Sequence, residues 1–422
     1  MSEDYQVPYI NRPVVGEVRP PGSKSITNRA LICAAMADGV TRLRDALDSE
    51  DTQVMQTALL RLGIDVKWDG PDLVVDGGIE QIGNPEEDLF VANSGTTIRF
   101  LSAMLAAVGG KYTLDGIQRM RERPIAHLKD ALVALGVSVE CDANGCPPIS
   151  IDSVGFVNQS CTVSGDISSQ YLSGLLMAAP AASQAIIIEV EGELVSTPYI
   201  DITTSVMSSF GVVVQASSYN QFEIEGGSKY RPCVYSIEPD ASAASYFFAL
   251  AAVTGGKITV MGLSRDAIQG DIGFLECLVR MGCIVDYGPN SITVEGRPLT
   301  GIDVDMNGIS DTVPTLGVVS LFANGPTNIR NVEHVRHKET DRITDLANEL
   351  RKLGARVVER QDGMVIHPGE LIPAAIDTYN DHRMAMSFAV AGLLIDGTVI
   401  RNPMCCEKTY PKFFSDLESL LA

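Results

Sequence analysis

Residues 22–37 read GSKSITNRALICAAMA, a polar, turn-like cluster followed at once by an apolar segment. The cluster places two cations, Lys24 and Arg29, among hydroxyl and amide side chains. The segment after it is apolar on nearly every side, which is typical of a helix buried in a protein core. The amino end of a buried helix carries unpaired N–H groups and the positive end of the helix dipole. This stretch therefore predicts a buried helix whose amino end is either capped by its own side chains or built to bind an anion.

The pattern recurs along the whole chain, with starts that follow one another at intervals of 70 to 75 residues. The later copies are NSGTTIRFLSAMLAAV from Asn93, GDISSQYLSGLLMAA from Gly165, DASAASYFFALAAV from Asp240, DTVPTLGVVSLFA from Asp311 and DHRMAMSFAVAGLL from Asp381. A short predicted strand follows each helix, in the order GVTRL, GKYTL, AIIIEV, GKITV, GPTNI and GTVI. Six copies of one helix–strand pattern predict a pseudo-symmetric α/β protein built by duplication.

A second, amphipathic helix is predicted in most copies, and DLANELRKLGARVVE from Asp345 is the clearest example. Its leucines recur at helical spacing, and Gly354 is predicted to end the helix; these leucines are Leu346, Leu350 and Leu353. Six repeats exceed what one compact domain of 422 residues holds, so the sequence predicts two domains of three repeats, divided near Ser236.

The chain carries a formal net charge of −21, which argues against nucleic acid and anionic membranes as partners of the surface at large. No window approaches the roughly 20 apolar residues of a membrane span, and the first residues, MSEDYQVPYI, lack the apolar core of a signal peptide. The nine cysteines form no C-x-x-C pair, and no histidines, cysteines or acids stand at metal-ligand spacing. These features predict a cytoplasmic protein in a reducing compartment, with no metal and no cofactor.

An acidic protein that binds anions has to concentrate its cations locally, and the basic residues of this chain do cluster in sequence. The clusters contain Lys24, Arg29, Arg99, Arg119, Arg121, Arg123, Arg336, Lys338, Arg342, Arg383 and Lys408. Arg119 or Arg121 is expected to pair with Glu122. Pro124 is predicted to begin a helix directly after Arg123. Arginine suits phosphate and carboxylate ligands, because its planar guanidinium group donates two parallel hydrogen bonds.

The opening cluster differs from a nucleotide phosphate loop. That loop reads G-x-x-x-x-G-K-[ST], whereas Ser23 separates Gly22 from Lys24 here. A nucleotide-dependent kinase is therefore not the function that the sequence favours.

Seven blocks of the sequence resemble the signature blocks of the 5-enolpyruvylshikimate-3-phosphate synthase family of enolpyruvyl transferases. They are PGSKSITNRA, NSGTTIR, RMRERPI, SGDISSQY, HKETDRI, YNDHRMAM and CEKTYP, and they follow one another over essentially the whole chain. The resemblance implies an inside-out α/β fold of two globular domains with three βαβαββ units each. Residues 1–20 plus 237–422 would form the domain that carries both termini, and residues 21–236 the inserted domain. The active site would lie in the interdomain cleft, which closes around the ligands.

The activity that the resemblance implies is transfer of the enolpyruvyl group of phosphoenolpyruvate to the 5-hydroxyl of shikimate 3-phosphate. Phosphate leaves in an addition–elimination sequence. Such an enzyme would serve the shikimate pathway, which leads to chorismate and the aromatic amino acids, and would be the target of glyphosate. Its partners would be these two small molecules, with no nucleic acid, membrane or cofactor, and it would be a monomer.

The resemblance also assigns residues to roles. Catalytic positions would be Asp311, which takes the hydroxyl proton, Glu339 and Lys24, which act at the methylene carbon, and His382. Shikimate 3-phosphate would contact Lys24, Ser25, Arg29, Ser168, Ser169, Gln170, Ser196, Tyr199, Asp311 and Lys338. Phosphoenolpyruvate would contact Lys24, Asn93, Gly95, Arg123, Gln170, Arg342, Arg383 and Lys408. Read without the family, Asp311 is alternatively a helix cap in SDTVPT, and a lone histidine such as His382 is more often structural.

Some positions depart from the family pattern. His334 stands where many members have an asparagine that touches shikimate 3-phosphate, so it is not included among the site residues. Ser94, Thr97 and Ile98 differ from some members beside Gly95, a difference that bears on glyphosate sensitivity. One alternative is the sister transferase that uses UDP-N-acetylglucosamine, but the Lys24-Ser25 pair and the absence of cysteine in IQRMRERPI do not match it. The other alternative is a non-catalytic anion-binding protein on the same scaffold.

Overall fold

The computed structural model describes residues 4–82 and 86–422. The chain forms two compact units, which we call the terminal unit, Met1–Pro21 with Glu238–Ala422, and the middle unit, Gly22–Ile237. Pro21 and Ile237 each fall on the other side of the boundary expected from the resemblance, a difference of one residue at each junction.

Twelve α-helices occur within the described residues, two for each repeat. They are α1 Lys24–Met36, α2 Glu50–Arg61, α3 Gly95–Val108, α4 Ala126–Ala134, α5 Ser169–Ala178, α6 Pro198–Ser209, α7 Ala241–Thr254, α8 Phe274–Met281, α9 Val313–Val319, α10 Thr344–Lys352, α11 His382–Gly392 and α12 Phe413–Leu421. Each odd-numbered helix from α1 to α11 begins one to four residues after the start of one of the polar clusters that the sequence repeats. The even-numbered helices are the predicted second helices.

Short strands separate the helices. In chain order they are β1 Tyr5–Gln6, β2 Val15–Val18, β3 Gly39–Arg44, β4 Asp65–Asp69, β5 Asp72–Gly77, β6 Glu86–Phe90, β7 Gly110–Asp115, β8 Ser138–Cys141, β9 Ile149–Ser153, β10 Ser160–Ser164, β11 Ile186–Glu191, β12 Val214–Ser218, β13 Gln221–Ile224, β14 Val234–Ser236, β15 Lys257–Met261, β16 Ile284–Tyr287, β17 Ser291–Glu295, β18 Leu299–Thr300, β19 Asp303–Asp305, β20 Ala323–Asn324, β21 Thr327–Arg330, β22 Arg356–Arg360, β23 Gly363–His367, β24 Ala375–Ile376 and β25 Val399–Ile400. We call the six apolar helices α1, α3, α5, α7, α9 and α11 the inner helices. The strand predicted after each of them is present, and these strands are β3, β7, β11, β15, β21 and β25.

The sheets share one topology. The middle unit has the strand orders β14-β3-β5-β4, β6-β7-β9-β8 and β10-β11-β13-β12, and the terminal unit has β2-β15-β17-β16 and β19-β21-β23-β22. In each of them the first pair is parallel and the other two pairs are antiparallel. The sixth repeat ends after α12, and its sheet has three strands, in the order β1-β25-β24. Strands β18 and β20 form a separate parallel pair.

Two strands at the start of the chain complete sheets whose other strands lie far along the sequence. Strand β1 pairs antiparallel with β25, with Tyr5 opposite Ile400. Strand β2 pairs in parallel with β15, with Val15 opposite Lys257. The first twenty residues therefore belong to the terminal unit.

The inner helices form the core of each unit. Helices α1, α3 and α5 contact one another in the middle unit, and α7, α9 and α11 do so in the terminal unit. Their residues are buried almost without interruption, as the all-round apolar sequences predict. Helix α10 buries its predicted leucine face, and Gly354 ends it with a φ of +98°. No helix in the described ranges is long and apolar enough to cross a membrane.

Candidate active site

The amino ends of the three inner helices of the middle unit lie close together. The Asn28 amide of α1 donates to the Thr96 hydroxyl of α3, with 2.7 Å between Nδ2 and Oγ1. The Arg29 guanidinium of α1 donates to the Ser173 hydroxyl of α5, at 3.1 Å. Because these bonds join residues in the first two turns of the helices, the positive ends of three helix dipoles meet at one end of the unit.

Some of the hydroxyl residues at these ends do serve as helix caps. The Ser94 hydroxyl accepts from the Thr97 N–H of α3, at 3.4 Å. The Ser168 hydroxyl accepts from the Gln170 N–H of α5, at 3.3 Å. For these two serines the capping interpretation holds, and any contact of Ser168 with a ligand would be additional.

Arg29 lies deep in this cluster, with a side chain only 1% exposed. Its nitrogens donate to neutral oxygens: the Thr203 and Ser173 hydroxyls and the Ser25 and Tyr199 carbonyls, at 2.7 to 3.2 Å. Burial lowers its pKa to about 10, so the group is still charged at neutral pH. Arg29 therefore supplies positive charge behind Ser25 and Tyr199, and the acceptors of its hydrogen bonds are neutral. Lys24, at the start of α1, lies 3.4 Å from the Asp51 carboxylate.

Gly95, the first residue of α3, lies against two guanidinium groups. A Cβ atom placed there would be 2.5 Å from Nη2 of Arg123 and 2.7 Å from Nη1 of Arg99. The absence of a side chain thus leaves room for both cations beside the N–H groups that begin the helix. Glycine at this point is what an anion site at a helix end requires.

Arg99 also belongs to this cluster, although the sequence analysis assigned it to neither substrate. Its guanidinium donates to the Gln170 side-chain carbonyl at 2.7 Å and to the Pro124 carbonyl at 3.1 Å. Its Cζ atom also lies 5.2 Å from the centre of the Tyr171 ring. The sequence signal was present, because Arg99 stands within the quoted NSGTTIR block.

Arg123 is fixed from the other side of Gly95. Its Nη1 donates to the Asn93 backbone carbonyl at 3.0 Å and to the Asn93 side-chain oxygen at 3.2 Å. The prediction that Pro124 begins a helix is wrong, since α4 starts two residues later at Ala126. Pro124 instead offers its carbonyl to Arg99 and to the Tyr171 hydroxyl, the latter at 2.6 Å.

Arg119 and Arg121, which precede Arg123, both form ion pairs at the surface. Arg119 pairs with Glu122 at 3.0 Å, as one of the two predicted alternatives has it. Arg121 pairs with Asp115 instead. Of the remaining positions, Ser169 and Ser196 are buried, and the Tyr199 N–H donates to the Ser196 carbonyl at 3.1 Å.

A second cluster lies in the terminal unit and is built around Arg342, which is 1% exposed. Its guanidinium donates to Asp381 at 2.7 Å, to Glu339 at 2.9 Å and to Asp311 at 3.1 Å. Burial opposes the charge of Arg342, but the three carboxylates outweigh burial and raise its pKa. Arg342 therefore holds the acids of three separate segments in place.

Asp311 is shared among cations. Its two oxygens accept from Arg342 at 3.1 Å and from Arg383 at 2.6 Å, and the Lys338 ammonium lies 3.9 Å away. Asp311 lies within a 3-10 segment, Asn307–Thr312, and Thr312 precedes α9. The Asp311 carboxylate thus binds side-chain cations, which distinguishes it from the capping role that the sequence left open.

Asp381 and Arg383 are positioned by the start of α11. Asp381 caps the helix by accepting from the Arg383 N–H at 2.9 Å. The Arg383 guanidinium reaches the Tyr246 hydroxyl of α7 at 3.4 Å, which ties α7 to α11. Lys408 ends the 3-10 segment Pro403–Lys408, which packs against α11.

Asp271 was not predicted as a member of this cluster. It is buried and accepts from the Ser242 hydroxyl at the start of α7. The 3-10 segment that carries it packs against the 3-10 segment of Asp311. Burial and then the nearby Asp311 charge raise its pKa to about 7. Only the folded structure brings it close to Asp311, so sequence spacing carried no signal.

His382 and His334 are both buried, but they have different surroundings. His382 is fully buried, with Nδ1 3.6 Å from an Asp381 oxygen, and its catalytic role stays a prediction. His334 is also buried, and burial followed by the charge of Lys338 lowers its pKa to about 3. His334 is therefore a neutral imidazole at physiological pH.

The predicted site residues thus fall into two clusters. The middle unit holds Lys24, Ser25, Arg29, Asn93, Gly95, Arg123, Ser168, Ser169, Gln170, Ser196 and Tyr199, and the terminal unit holds Asp311, Lys338, Glu339, Arg342, His382, Arg383 and Lys408. The first cluster offers cations, hydroxyls and helix ends. The second combines cations with carboxylates that could accept or donate protons.

Comparisons with known proteins identify the family of the chain. The sequence model of the family described as EPSP synthase (3-phosphoshikimate 1-carboxyvinyltransferase) matches residues 8–417. A 3-phosphoshikimate 1-carboxyvinyltransferase of Nostoc punctiforme is 47% identical over 421 residues, which cover 99% of both chains. One of a Shewanella species is 45% identical, covering 96% of this chain and 97% of the relative.

Solved structures show the same fold. An EPSP synthase of Acinetobacter baumannii has a TM-score of 0.82 at 25% identity, covering 99% of this chain and 98% of its own. The enolpyruvyl transferase NikO of Streptomyces tendae, 19% identical, shares the fold with a TM-score of 0.78, covering 99% and 97%. The prediction of an enolpyruvyl transferase fold is confirmed. A match over nearly the whole length, with two anion-suited clusters on that fold, makes this chain a member of the EPSP synthase (3-phosphoshikimate 1-carboxyvinyltransferase) family.

Proposed function

We propose that the chain transfers the enolpyruvyl group of phosphoenolpyruvate to the 5-hydroxyl of shikimate 3-phosphate. The observation that carries this proposal is the placement of Asp311, a carboxylate held by Arg342 and Arg383. A proton acceptor lies there next to cations that suit an anionic substrate. Full-length relatives named 3-phosphoshikimate 1-carboxyvinyltransferase support the same reaction.

The reaction needs proton transfers at two places. In the addition step the hydroxyl oxygen bonds to C2 of phosphoenolpyruvate and loses its proton, while the methylene carbon gains one. In the elimination step the methyl group loses a proton and the phosphate leaves, which restores the double bond. We assign the hydroxyl proton to Asp311 and the methylene proton to Lys24 and Glu339.

The other site residues are assigned to binding. Shikimate 3-phosphate would be held by Ser25, Arg29, Ser168, Ser169, Gln170, Ser196, Tyr199 and Lys338. Phosphoenolpyruvate would be held by Asn93, Gly95, Arg123, Gln170, Arg342, Arg383 and Lys408. These assignments draw on both clusters, so the reaction would require residues of both units, and a site in an interdomain cleft stays a prediction. We further propose a cytoplasmic monomer without nucleic-acid or membrane partners.

A free-phosphate assay tests the proposal. The protein is incubated with phosphoenolpyruvate and, in parallel, with shikimate 3-phosphate, with UDP-N-acetylglucosamine, or with neither. We expect phosphate release only with shikimate 3-phosphate, accompanied by the enolpyruvyl product in mass spectrometry. Release with the UDP-sugar would point to the sister transferase, and no release at all would favour a binding protein.

Replacement of Asp311 by asparagine tests the proton acceptor. Asp311→Asn keeps the shape but cannot accept the proton, so kcat should fall by at least about a hundredfold while shikimate 3-phosphate binding changes little. Asp305→Asn, in the exposed ion pair with Arg330, is the matched control and should leave kcat unchanged. Equal losses of affinity and turnover would contradict the assignment.

A further inference from the structure

The turn that leads into α11 has an unusual backbone for its sequence. The Asp381 N–H donates to the Thr378 carbonyl at 2.8 Å, and the two central residues, Tyr379 and Asn380, have φ values of +52° and +58°. Positive φ at both central positions is the signature of a type I′ turn, which favours asparagine and glycine. Tyrosine is poorly suited to this conformation, so contacts outside the turn have to hold it.

A buried carboxylate supplies such a contact. The Tyr379 hydroxyl donates to Oε1 of Glu349 at 2.6 Å, although the tyrosine itself is 38% exposed. Glu349 lies on α10, is 0% exposed, and also accepts from the Asp377 N–H at 3.1 Å. Lys352 balances its charge at 2.8 Å. More than a third of the tyrosine surface is free of packing contacts, so the hydroxyl bond to Glu349 adds a directed tether to the partial packing of the ring.

The second turn residue is tied to another segment. The Asn402 amide donates to the Asn380 side-chain oxygen at 3.1 Å. Asn402 directly precedes the 3-10 segment Pro403–Lys408. The same two stretches are joined again by the Arg401 side chain, which donates to Asp377 at 2.8 Å.

These bonds connect three segments that carry proposed substrate contacts. Arg342 lies just before α10, Arg383 is in the first turn of α11, and Lys408 ends the 3-10 segment. We propose that Tyr379 and Glu349 are positioning residues: their hydrogen bond holds the turn that sets Asp381 and Arg383 against Arg342. They touch no reacting group themselves. This inference rests on the proposed function, in which Arg342, Arg383 and Lys408 bind phosphoenolpyruvate.

Tyr379→Phe tests the inference, because it removes only the hydroxyl. We expect kcat/KM for phosphoenolpyruvate to fall by about tenfold or more, since small displacements of binding groups are costly. The KM for shikimate 3-phosphate should change less than about twofold, because most of its proposed contacts lie in the middle unit. Tyr5→Phe is the matched control, as the Tyr5 hydroxyl also donates to a glutamate, Glu418, at 2.8 Å in the same unit. It should leave both constants unchanged.

A second variant and a second readout separate positioning from plain stability. Glu349→Gln keeps an oxygen that accepts from Tyr379, and it should lose less activity than Tyr379→Phe if the hydrogen bond is what matters. Hydrogen exchange of peptides spanning residues 378–386 should accelerate in Tyr379→Phe but not in Tyr5→Phe. A Tyr379→Phe protein with wild-type kinetic constants and wild-type exchange overturns the inference. A wild-type protein that releases no phosphate overturns the proposed function instead, and the exchange experiment then still decides whether the hydrogen bond holds the turn.

Discussion

The Arg342 side chain is surrounded by carboxylates although it is almost completely buried. A buried charge without partners would be very costly, and removal of one partner from such a group typically costs about 3–5 kcal/mol. Asp381, Glu339 and Asp311 therefore depend on Arg342 as much as it depends on them. Variants of any of them will report on the whole ion-pair network.

Gly95 gives the sharpest prediction for a single residue. A methyl group in Gly95→Ala would press on the Arg123 and Arg99 guanidinium groups, at 2.5 and 2.7 Å. We expect both to shift, and the KM for phosphoenolpyruvate to rise by about tenfold or more. Steady-state kinetics with each substrate varied in turn would measure this. An unchanged KM would show that the arginines yield without loss of binding.

His334 predicts a dependence of stability on pH. Its pKa is about 3 in the folded chain against an ordinary value of 6.5, because burial disfavours the charged form. As pH falls below 6.5 the unfolded chain gains a proton that the folded chain does not, so stability falls. By linkage the loss amounts to about 2 kcal/mol at pH 5.

The variant His334→Asn should lack this loss. Relative to wild type, its terminal unit should gain about 2 kcal/mol of stability between pH 7.5 and pH 5. Hydrogen exchange of α11 peptides at both pH values would measure the difference. A constant difference between variant and wild type across this range would mean that the folded chain protonates His334 normally.

Single residues were predictable where a motif carried them and unpredictable where only folding brings them together. Gly95 and Arg123 were named from sequence blocks, and the structure places them side by side. The burial of Arg29 among hydroxyls and the approach of Asp271 to Asp311 depend on tertiary packing, which local sequence does not encode.

At the scale of elements, the repeat predicted the inner helices and the strands that follow them, because all-round apolar segments have few alternatives in a folded chain. The 3-10 segment around Asp311 was missed. There the apolar helix α9 is preceded by the 3-10 segment Asn307–Thr312, which is broken at Ile309, and Pro314 falls in the first turn of α9. The further strands of each βαβαββ unit were implied by the resemblance, but pairings such as that of β2 with β15 were not predicted, since partners far apart in sequence leave no periodic signal.

The end of α10 gives a prediction at this scale. Gly354→Ala would force alanine into a positive φ and drive its Cβ into the Glu370 carbonyl oxygen. Gly255→Ala, at the end of α7 in the same unit, has a φ of +64° but open space around the Cβ. We expect Gly255→Ala to cost about 1 kcal/mol of unfolding free energy and Gly354→Ala at least about 2 kcal/mol more.

Urea unfolding of the two variants, followed by exchange of terminal-unit peptides, would measure these costs. Equal losses would show that the Glu370 carbonyl moves away easily.

The whole molecule is strongly acidic, with a net charge of −21 and a sequence pI near 4.6. Its cation clusters are small against this background, so extended polyanions should be repelled even though small anions bind. We expect the protein to pass through a heparin column at about 0.1 M salt and to bind an anion-exchange resin under the same conditions. Retention on heparin would reveal a basic surface large enough for nucleic acid.

The pairing of β1 with β25 and of β2 with β15 has a consequence for synthesis on the ribosome. The middle unit is one continuous stretch of the chain, so it can fold as soon as residue 237 has left the exit tunnel. Strand β2 has to wait for β15, which follows the middle unit closely in the chain, whereas β1 has to wait for the much later strand β25. Nascent chains should therefore become protease-resistant first in the middle unit, then around β2, and around β1 only after β25 has emerged.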